Sequence, residues 1–419
     1  MDNISGKRLL ILGGAVQQLK VVKAAKAMGA HVIVADISKD TEAKRMADEA
    51  LQISVTDSEG LIRWCHENPV DGVLNFCIDY AQHSHYRICH EFGFPCFGTE
   101  EQYNKLTDKA QFKRLCLDNG VDVIPEYSGS DIDNIELPVL VKPAESSGSR
   151  GSKICKTVDE LEGAIRSAAA ESRNGRVLIE KYMAGHPDFE IVYFVNNGKP
   201  YLAYMGDRYS GCAEDNLNRQ CICFAGPSKY LDVYLKNTHD RVCRMIEELG
   251  IRFGPVFLQG FLDGDTVRFY DPGIRFPGDE FNSILKAATG IDFMSVLVRY
   301  ALTGRTDIES GRLEGIYYLN GFKGALLLIS ARAGTIQSFD GFEAIRAMST
   351  TVSAVQKRFT GEAIELTGDV RQRICEIAVM AKGETQSLRE AIVKTQSCLK
   401  VEDQNGENML VSQFDADLL

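Results

Sequence analysis

Val141-Lys142-Pro143-Ala144-Glu145-Ser146-Ser147-Gly148-Ser149-Arg150-Gly151-Ser152 is the stretch on which the reading of this chain turns. A lysine closes one β-like run, Pro138 to Lys142, and a loop of serine and glycine leads into the next, Lys153 to Lys156. Small residues let backbone N–H groups and hydroxyls come close to phosphate oxygens, and the lysine adds a point charge. The order Gly-Lys-Ser/Thr running into a helix is missing, so this is not a Walker loop. A solvated hairpin would also use such residues, so the neighbours have to decide.

Upstream lie Thr107-Asp108-Lys109 and Phe112-Lys113, at the head of an amphipathic stretch that closes on Gly120. Downstream, after a helical pattern from Val158 to about Ala170, come the strand Arg176 to Glu180 and then Lys181-Tyr182-Met183-Ala184-Gly185, with Asp188 beyond. Glu190 to Tyr204 reads as a hairpin turning at Asn197-Gly198, the dipeptide that suits a two-residue turn. Residues 229 to 249 read as one long helix. Gly254 to Leu262 and Thr266 to Tyr270 form a second hairpin, turning at Asp263-Gly264, with Asp263 and Asp265 expected in solvent. Past residue 320 come a strand-rich module, a short helix from near Gly341 and closing polar hairpins.

The first hundred residues alternate strand and helix: Arg8 to Leu12, Gln17 to Met28, His31 to Ala35, Leu51 to Val55 and Gly72 to Phe76. This pitch predicts a parallel sheet with helices on both faces. Gly13-Gly14 at the first turn and Asp36 after the second strand invite a dinucleotide reading. The stretch GGAVQQLK lacks the G-x-G-x-x-G spacing, and tight strand-to-helix turns use glycine anyway, so NAD is not expected.

Composition narrows the function classes. The 419 residues allow two to four domains. With 47 basic against 58 acidic residues, a net charge of −11, the chain has no global attraction for nucleic acid or anionic membrane. No apolar run approaches the roughly 18 residues of a membrane span. The polar start gives no sign of a signal peptide, and a cytoplasmic protein is expected. Twelve cysteines are scattered, Cys212, Cys221 and Cys223 being nearest to a cluster, and read as reduced, mostly buried thiols. His83, His85 and His90, beside Cys89, fit helix faces poorly as a metal set and read as core or surface histidines.

The five segments around Lys109, Lys142, Glu180, Gln259 and Arg275, in this order and spacing, resemble the ATP-grasp superfamily of carboxylate–amine ligases. The resemblance covers roughly residues 1 to 330. It extends through Gly334 to Glu343 toward the C-terminal module of biotin-carboxylase-like and L-amino-acid-ligase-like members. It implies an α/β and α+β multidomain chain, an ATP-grasp fold preceded by a Rossmann-like parallel-sheet domain. The implied limits are 1–105 for that domain, 106–187 for the lid, 188–330 for the central subdomain and 331–419 for the strand-rich module.

By the same resemblance, ATP lies between two subdomains, and the loop 145–152, with Ser147, Gly148 and Ser149, closes over its phosphates. Lys109 and Lys142 match the phosphate lysines, Glu180 the acceptor of the adenine amino group, Lys181, Tyr182 and Met183 the hinge, and Asp188 the ribose acid. Arg275 matches the clamp on the transferring phosphate, and Arg208 and Arg219 are further anion binders by analogy. Asn75 to His85 matches a region that lines the substrate pocket in related ligases. Mg2+ is implied at Gln259 and Asp271. The usual glutamate and asparagine are here Gln259 and Gly273, which predicts a weakened site, with Asp279 and Glu280 within reach to compensate.

The implied activity is conversion of a small-molecule carboxylate to an acyl phosphate that an amine attacks. The implied partners are that acid and amine, with a homodimer possible and neither nucleic acid nor membrane. Two alternatives stay open: an ATP-binding protein with weakened or lost catalysis, acting as a sensor or partner subunit, and a carboxylase-type enzyme.

Overall fold

The computed structural model describes residues 4–128, 135–143, 151–172, 175–183, 185–212 and 220–419. Ser147, Gly148 and Ser149, most of the loop 145–152, and Arg219 lie outside the described residues.

The N-terminal sheet is parallel, in the order Glu49–Leu51, His31–Ala35, Arg8–Leu12, Gly72–Leu74. Its central strands are unbroken apolar runs because helices cover both faces, and Leu9 to Leu12 and Val32 to Ala35 are fully buried. The expected alternation holds, but the third strand comes earlier than the Leu51 to Val55 reading. Gly14 is needed for close approach: a Cβ there would lie 2.3 Å from Thr41 Oγ1. Its N–H donates to Asp36 Oδ2 at 2.8 Å, so the aspartate braces its own turn.

A small antiparallel sheet follows, in the order Glu126–Tyr127, Val177–Lys181, Val139–Pro143, Lys153–Cys155. The helix Asp159–Glu171 lays Leu161, Ala164 and Ala168 on Val139, Val141, Cys155 and Ile179, giving this unit its own core.

The third and largest sheet has nine strands. Thr266–Gly273, Phe253–Asp263, Asp188–Asn196, Lys199–Ser210, Cys221–Gly226, Phe322–Ala331, Arg373–Lys382 and Thr351–Gln356 lie side by side, and Leu410–Val411 pairs with Phe322–Ala331. The hairpin at Asn197-Gly198 is as expected, with both residues at positive φ (54° and 81°). Strands from beyond residue 331 thus continue the central sheet, so one sheet carries side chains from both regions.

Two sequence expectations need correction here. Residues 229 to 249 form two helices, Leu231–Asn237 and His239–Leu249, because Thr238 leaves the helical region (φ −134°). The chain end holds a 10-residue strand, Arg373–Lys382, and a 14-residue helix, Thr385–Cys398, rather than polar hairpins alone. Only Leu388, Ala391, Ile392 and Thr395 of that helix are buried, so its apolar stripe is thin and easily read as loop.

The helix Phe281–Thr289 seats on the nine-stranded sheet where three adjacent strands carry Gly206, Gly226 and Gly324. A Cβ on Gly226 would lie 3.0 Å from the Phe281 ring, and one on Gly324 would lie 2.6 Å from Ile284 Cγ2. These glycines let the helix sit low, which fixes Asp279 and Glu280 at its start. No single described helix is long and apolar enough to cross a membrane; Phe281–Thr289 and Phe293–Thr303 are bent 96° apart. Gly324→Ala should therefore overpack the seat and cost about 1–3 kcal/mol, read as a lower urea midpoint at unchanged slope. A midpoint equal to wild type would show that the close approach is not needed.

Candidate active site

Lys109 is the first residue of the helix Lys109–Asp118, whose N-cap Asp108 accepts hydrogen bonds from Ala110 and Gln111. Lys113 lies one turn on, and Lys142 projects from the strand beside Val177–Lys181, which carries Glu180. Glu180 is 3% exposed and joins these elements. Lys113 Nζ bonds one of its oxygens at 2.6 Å and Lys142 Nζ the other. Lys113 also bonds Glu126 at 2.7 Å. Burial works against the charge on Glu180, but Lys142 and Lys113 outweigh it and hold its pKa below the ordinary value.

The resemblance gave Glu180 to adenine; in the structure its carboxylate anchors two lysines, Lys113 and Lys142. The hinge residues follow directly. Lys181 and Tyr182 N–H donate to the carbonyls of Pro125 and Pro138 at 3.0 and 3.1 Å, and Met183 is buried. Lys181 Nζ reaches Asp263 at 3.3 Å, and Arg268 reaches it at 2.8 Å. Asp263, expected in solvent, is instead an ion-pair acceptor, because the hairpin folds back on the lid.

Lys109 differs from its neighbours: it makes no hydrogen bond or ion pair with any described residue. Burial, then the charge of Lys142, lowers its pKa, with Glu180 and Asp271 opposing. A half-buried amine facing a second amine is a place prepared for an anion. Asp271 feels Arg275, Asp79, Lys109 and Arg208. It stays open to solvent although protein surrounds it on most sides, and that burial raises its pKa. Lys109 thus feels both Lys142 and Asp271, and Asp271 in turn feels Arg275.

Across three strands, Glu190, Gln259 and Asp271 stand in register. Same-face neighbours of this kind lie about 5 Å apart. Gln259 Nε2 donates to Glu190 Oε2 at 3.0 Å, and Tyr204 OH donates to Glu190. Glu190 is fully enclosed, and burial pushes its pKa up, with Arg208 opposing. The neutral residue at 259 is thus flanked by two acids. Sequence reading missed Glu190, though its register opposite Gln259 follows from the two hairpins. The donors here are carboxylate and amide oxygens, the set a hard divalent cation prefers, so Gln259 and Asp271 fit Mg2+.

Next to Gln259 the pairing slips, leaving Tyr270 as an extra residue. The bulge brings its hydroxyl 3.1 Å from Asp188 Oδ1 and onto Arg208, while Arg208 Nη1 bonds Asp188 Oδ2 at 2.8 Å. Asp188, expected to hold a ribose, has both oxygens engaged, and burial raises its pKa to about 6 against the pull of Arg208. Arg208 Nε is buried without a hydrogen-bond partner among the described residues.

Arg275 lies 4.5 Å over the Phe257 ring, and its Nε bonds Asp79 of the N-terminal domain at 2.6 Å. Gly273, where a metal-binding asparagine is usual by resemblance, leaves room for this pair. A Cβ there would sit 3.3 Å from Arg275 Cγ and 3.6 Å from Asp79 Oδ1. Lys20 of the same domain bonds Glu280 at 2.9 Å and the Asp279 carbonyl. Burial, then Glu190, raises the Asp279 pKa to about 7. From the C-terminal region, Glu376, itself paired with Lys357 and with Arg373 at 3.1 Å, adds to that rise. A separate cavity of about 420 Å³, lined by Asp207, Tyr209 and Ser228 among others, shares none of these groups. Asp207 and Tyr209 alternate with Arg208 and so face the other side of the sheet.

Residues 108–269 match the family described as "Carbamoyl-phosphate synthase L chain, ATP binding domain". The small subunit of 2-oxoglutarate carboxylase from Hydrogenobacter thermophilus is 26% identical over 243 residues, covering 52% of this chain and 50% of that one. Formate-dependent phosphoribosylglycinamide formyltransferase from Maridesulfovibrio salexigens is 25% identical over 285 residues, covering 65% and 70%. The chain thus spans about half the length of the first relative. Among solved structures, phosphoribosylglycinamide synthetase from Anaerococcus prevotii superposes with a TM-score of 0.78 at 17% identity, covering 96% of this chain and 100% of that one. L-amino acid ligase from Bacillus licheniformis does so at 0.77 and 18%, with the same coverage.

Glu180→Gln tests the hub. It leaves two half-buried lysines sharing a neutral partner and should cost roughly 3 kcal/mol by urea unfolding. Because the folded-state pKa of Glu180 is depressed, its stabilisation is present above the ordinary value near 4.5 and is lost as the pH falls below it. The variant should show that much less acid sensitivity; an unchanged acid limb would mean the pair carries no net stability. Motif order, central sheet and the comparisons converge on one conclusion: the chain has an ATP-grasp fold, and its residues 108–269 match the ATP-binding domain of the carbamoyl-phosphate synthase L chain family.

Proposed function

We propose that the chain is an ATP-dependent ligase that activates a small-molecule carboxylate as an acyl phosphate and passes it to an amine. The observation that carries this reading is the convergence of Lys109, which bonds no described residue, tethered Lys142 and Arg275 on the region of Asp271. When bound, ATP supplies the phosphoryl group and Mg2+ shields its charge. Lys109 and Lys142 would bind phosphate oxygens, Arg275, whose Nε holds Asp79 and whose Nη1 reaches the Phe276 carbonyl, would offer Nη2 to the phosphoryl being transferred, and Gln259 and Asp271 would hold the metal. Ser147, Gly148 and Ser149 remain proposed phosphate contacts; Lys181, Tyr182 and Met183 the proposed hinge; and Glu180 and Asp188 the proposed adenine and ribose acids.

Proton transfer is the second demand of the reaction. An attacking amine must lose a proton, and Asp279, with a pKa of about 7 in a buried setting, is suited to take it. Lys20, bonded to the backbone at 278 and 279, holds that segment against the N-terminal domain.

ADP release in the presence of acid and amine pairs, bicarbonate included, tests the activity. Lys142→Ala should lower turnover about 10²–10³-fold; an unchanged rate would remove the mechanism. For Asp279, ionised only above about pH 7, turnover should rise with pH through that value. Asp279→Asn should abolish the rise and lower kcat about 10²-fold or more. A flat wild-type profile would take Asp279 out of the reaction.

One observation favours a second reading, ATP binding with weakened turnover. Gln259 has its amide committed to Glu190 and brings no charge to the metal. A Gln259→Glu variant that gains ATP hydrolysis would support it, and one that loses activity would oppose it.

A further inference from the structure

We infer that His85, Cys89 and Cys96 form a structural binding site for one zinc ion, where the chain leaves the parallel-sheet domain. His85 and Cys89 are one turn apart on the helix Gln82–Phe92 and share a face. The helix stops at Gly93 in the left-handed region (φ 68°), and the Phe94 N–H closes back on the Cys89 carbonyl at 2.8 Å. That turn returns Cys96 to the same face. His85 Nδ1, Cys89 Sγ and Cys96 Sγ all lie within 4.8 Å of one another.

Three features set this cluster apart from ordinary buried thiols. First, spacing: His85 Nδ1 lies 3.7 Å from Cys96 Sγ. A tetrahedral zinc with its usual bonds of about 2.1 Å to nitrogen and 2.3 Å to sulfur would set that pair about 3.6 Å apart. Second, the ring is oriented from behind. His85 Nε2 lies 3.2 Å from the Val73 carbonyl, which can only accept, so the proton sits on Nε2 and the Nδ1 lone pair faces the sulfurs. Third, seclusion: His85 and Cys89 are each 1% exposed, as is Tyr103, whose hydroxyl lies 3.8 Å from Cys96 Sγ.

The place explains the use. Tyr300 OH donates to the Cys96 carbonyl at 3.2 Å, and the adjacent Phe97 stacks on Tyr300 at 5.3 Å. An ion here would pin the segment that leads into the helix Glu100–Thr107 and the ATP-binding domain. The site is independent of the proposed ligase reaction.

The test uses the full chain, chelated under reducing conditions and titrated with Co2+ alone. One equivalent should bind, with a thiolate-to-cobalt absorption band that Zn2+ displaces, and Zn2+ should raise the Tm of the chelated protein. Cys96→Ser and Cys89→Ser should each weaken Co2+ binding about 100-fold and remove or halve the band, while Cys155→Ser, in the lid core, should leave both intact. A wild-type protein without the band, a band that survives both ligand variants, or a Cys89–Cys96 disulfide in the freshly isolated protein would each overturn the assignment. The wild-type titration stands even if a variant fails to fold.

Discussion

Two amines and a guanidinium held within reach of one another repel, and a fold can keep them there only by surrounding them with acids or by leaving a place for an anion. This chain does both. Glu180 takes Lys142 and Lys113, Asp79 takes Arg275, and Asp271 tempers the whole, while Lys109 bonds no side chain among the described residues. The arrangement stores unfavourable electrostatics that a polyanion would relieve.

The rest of the architecture serves that constraint. The lid brings Lys142 and Glu180 on neighbouring strands of a unit with a separate core. The central sheet aligns Glu190, Gln259 and Asp271, and its bulge re-aims Tyr270 to lock Asp188 and Arg208. The N-terminal domain reaches in through Asp79 and Lys20, and the C-terminal strands through Glu376. Four stretches of chain thus share one charged region, and no one of them would hold it alone.

Much of this was legible in the sequence. Strand–helix alternation, the Asn197-Gly198 turn and the placing of Lys142 and Glu180 on neighbouring strands all reflect local chemistry. What escaped was tertiary. Asp263 looked solvated because nothing nearby in sequence announces Lys181 as its partner. Glu190 interrupts the otherwise apolar run Phe189 to Val195, and its weight comes from standing opposite Gln259. Gly273 read as a missing ligand, and the structure adds that the vacant side chain is the space used by Arg275 and Asp79. The helix Thr385–Cys398 buries too few side chains to print a clear period.

The central claim is that this cleft is cationic and short of an anion until a nucleotide fills it. Calorimetric titration of ATP into wild-type protein and Lys109→Met, with and without Mg2+, tests that most directly. The account predicts saturable, salt-sensitive binding strengthened by Mg2+ in wild type, and at least about tenfold weaker binding in the variant, which loses a charge-assisted contact of about 1.5–3 kcal/mol. Equal affinity in both proteins would contradict it.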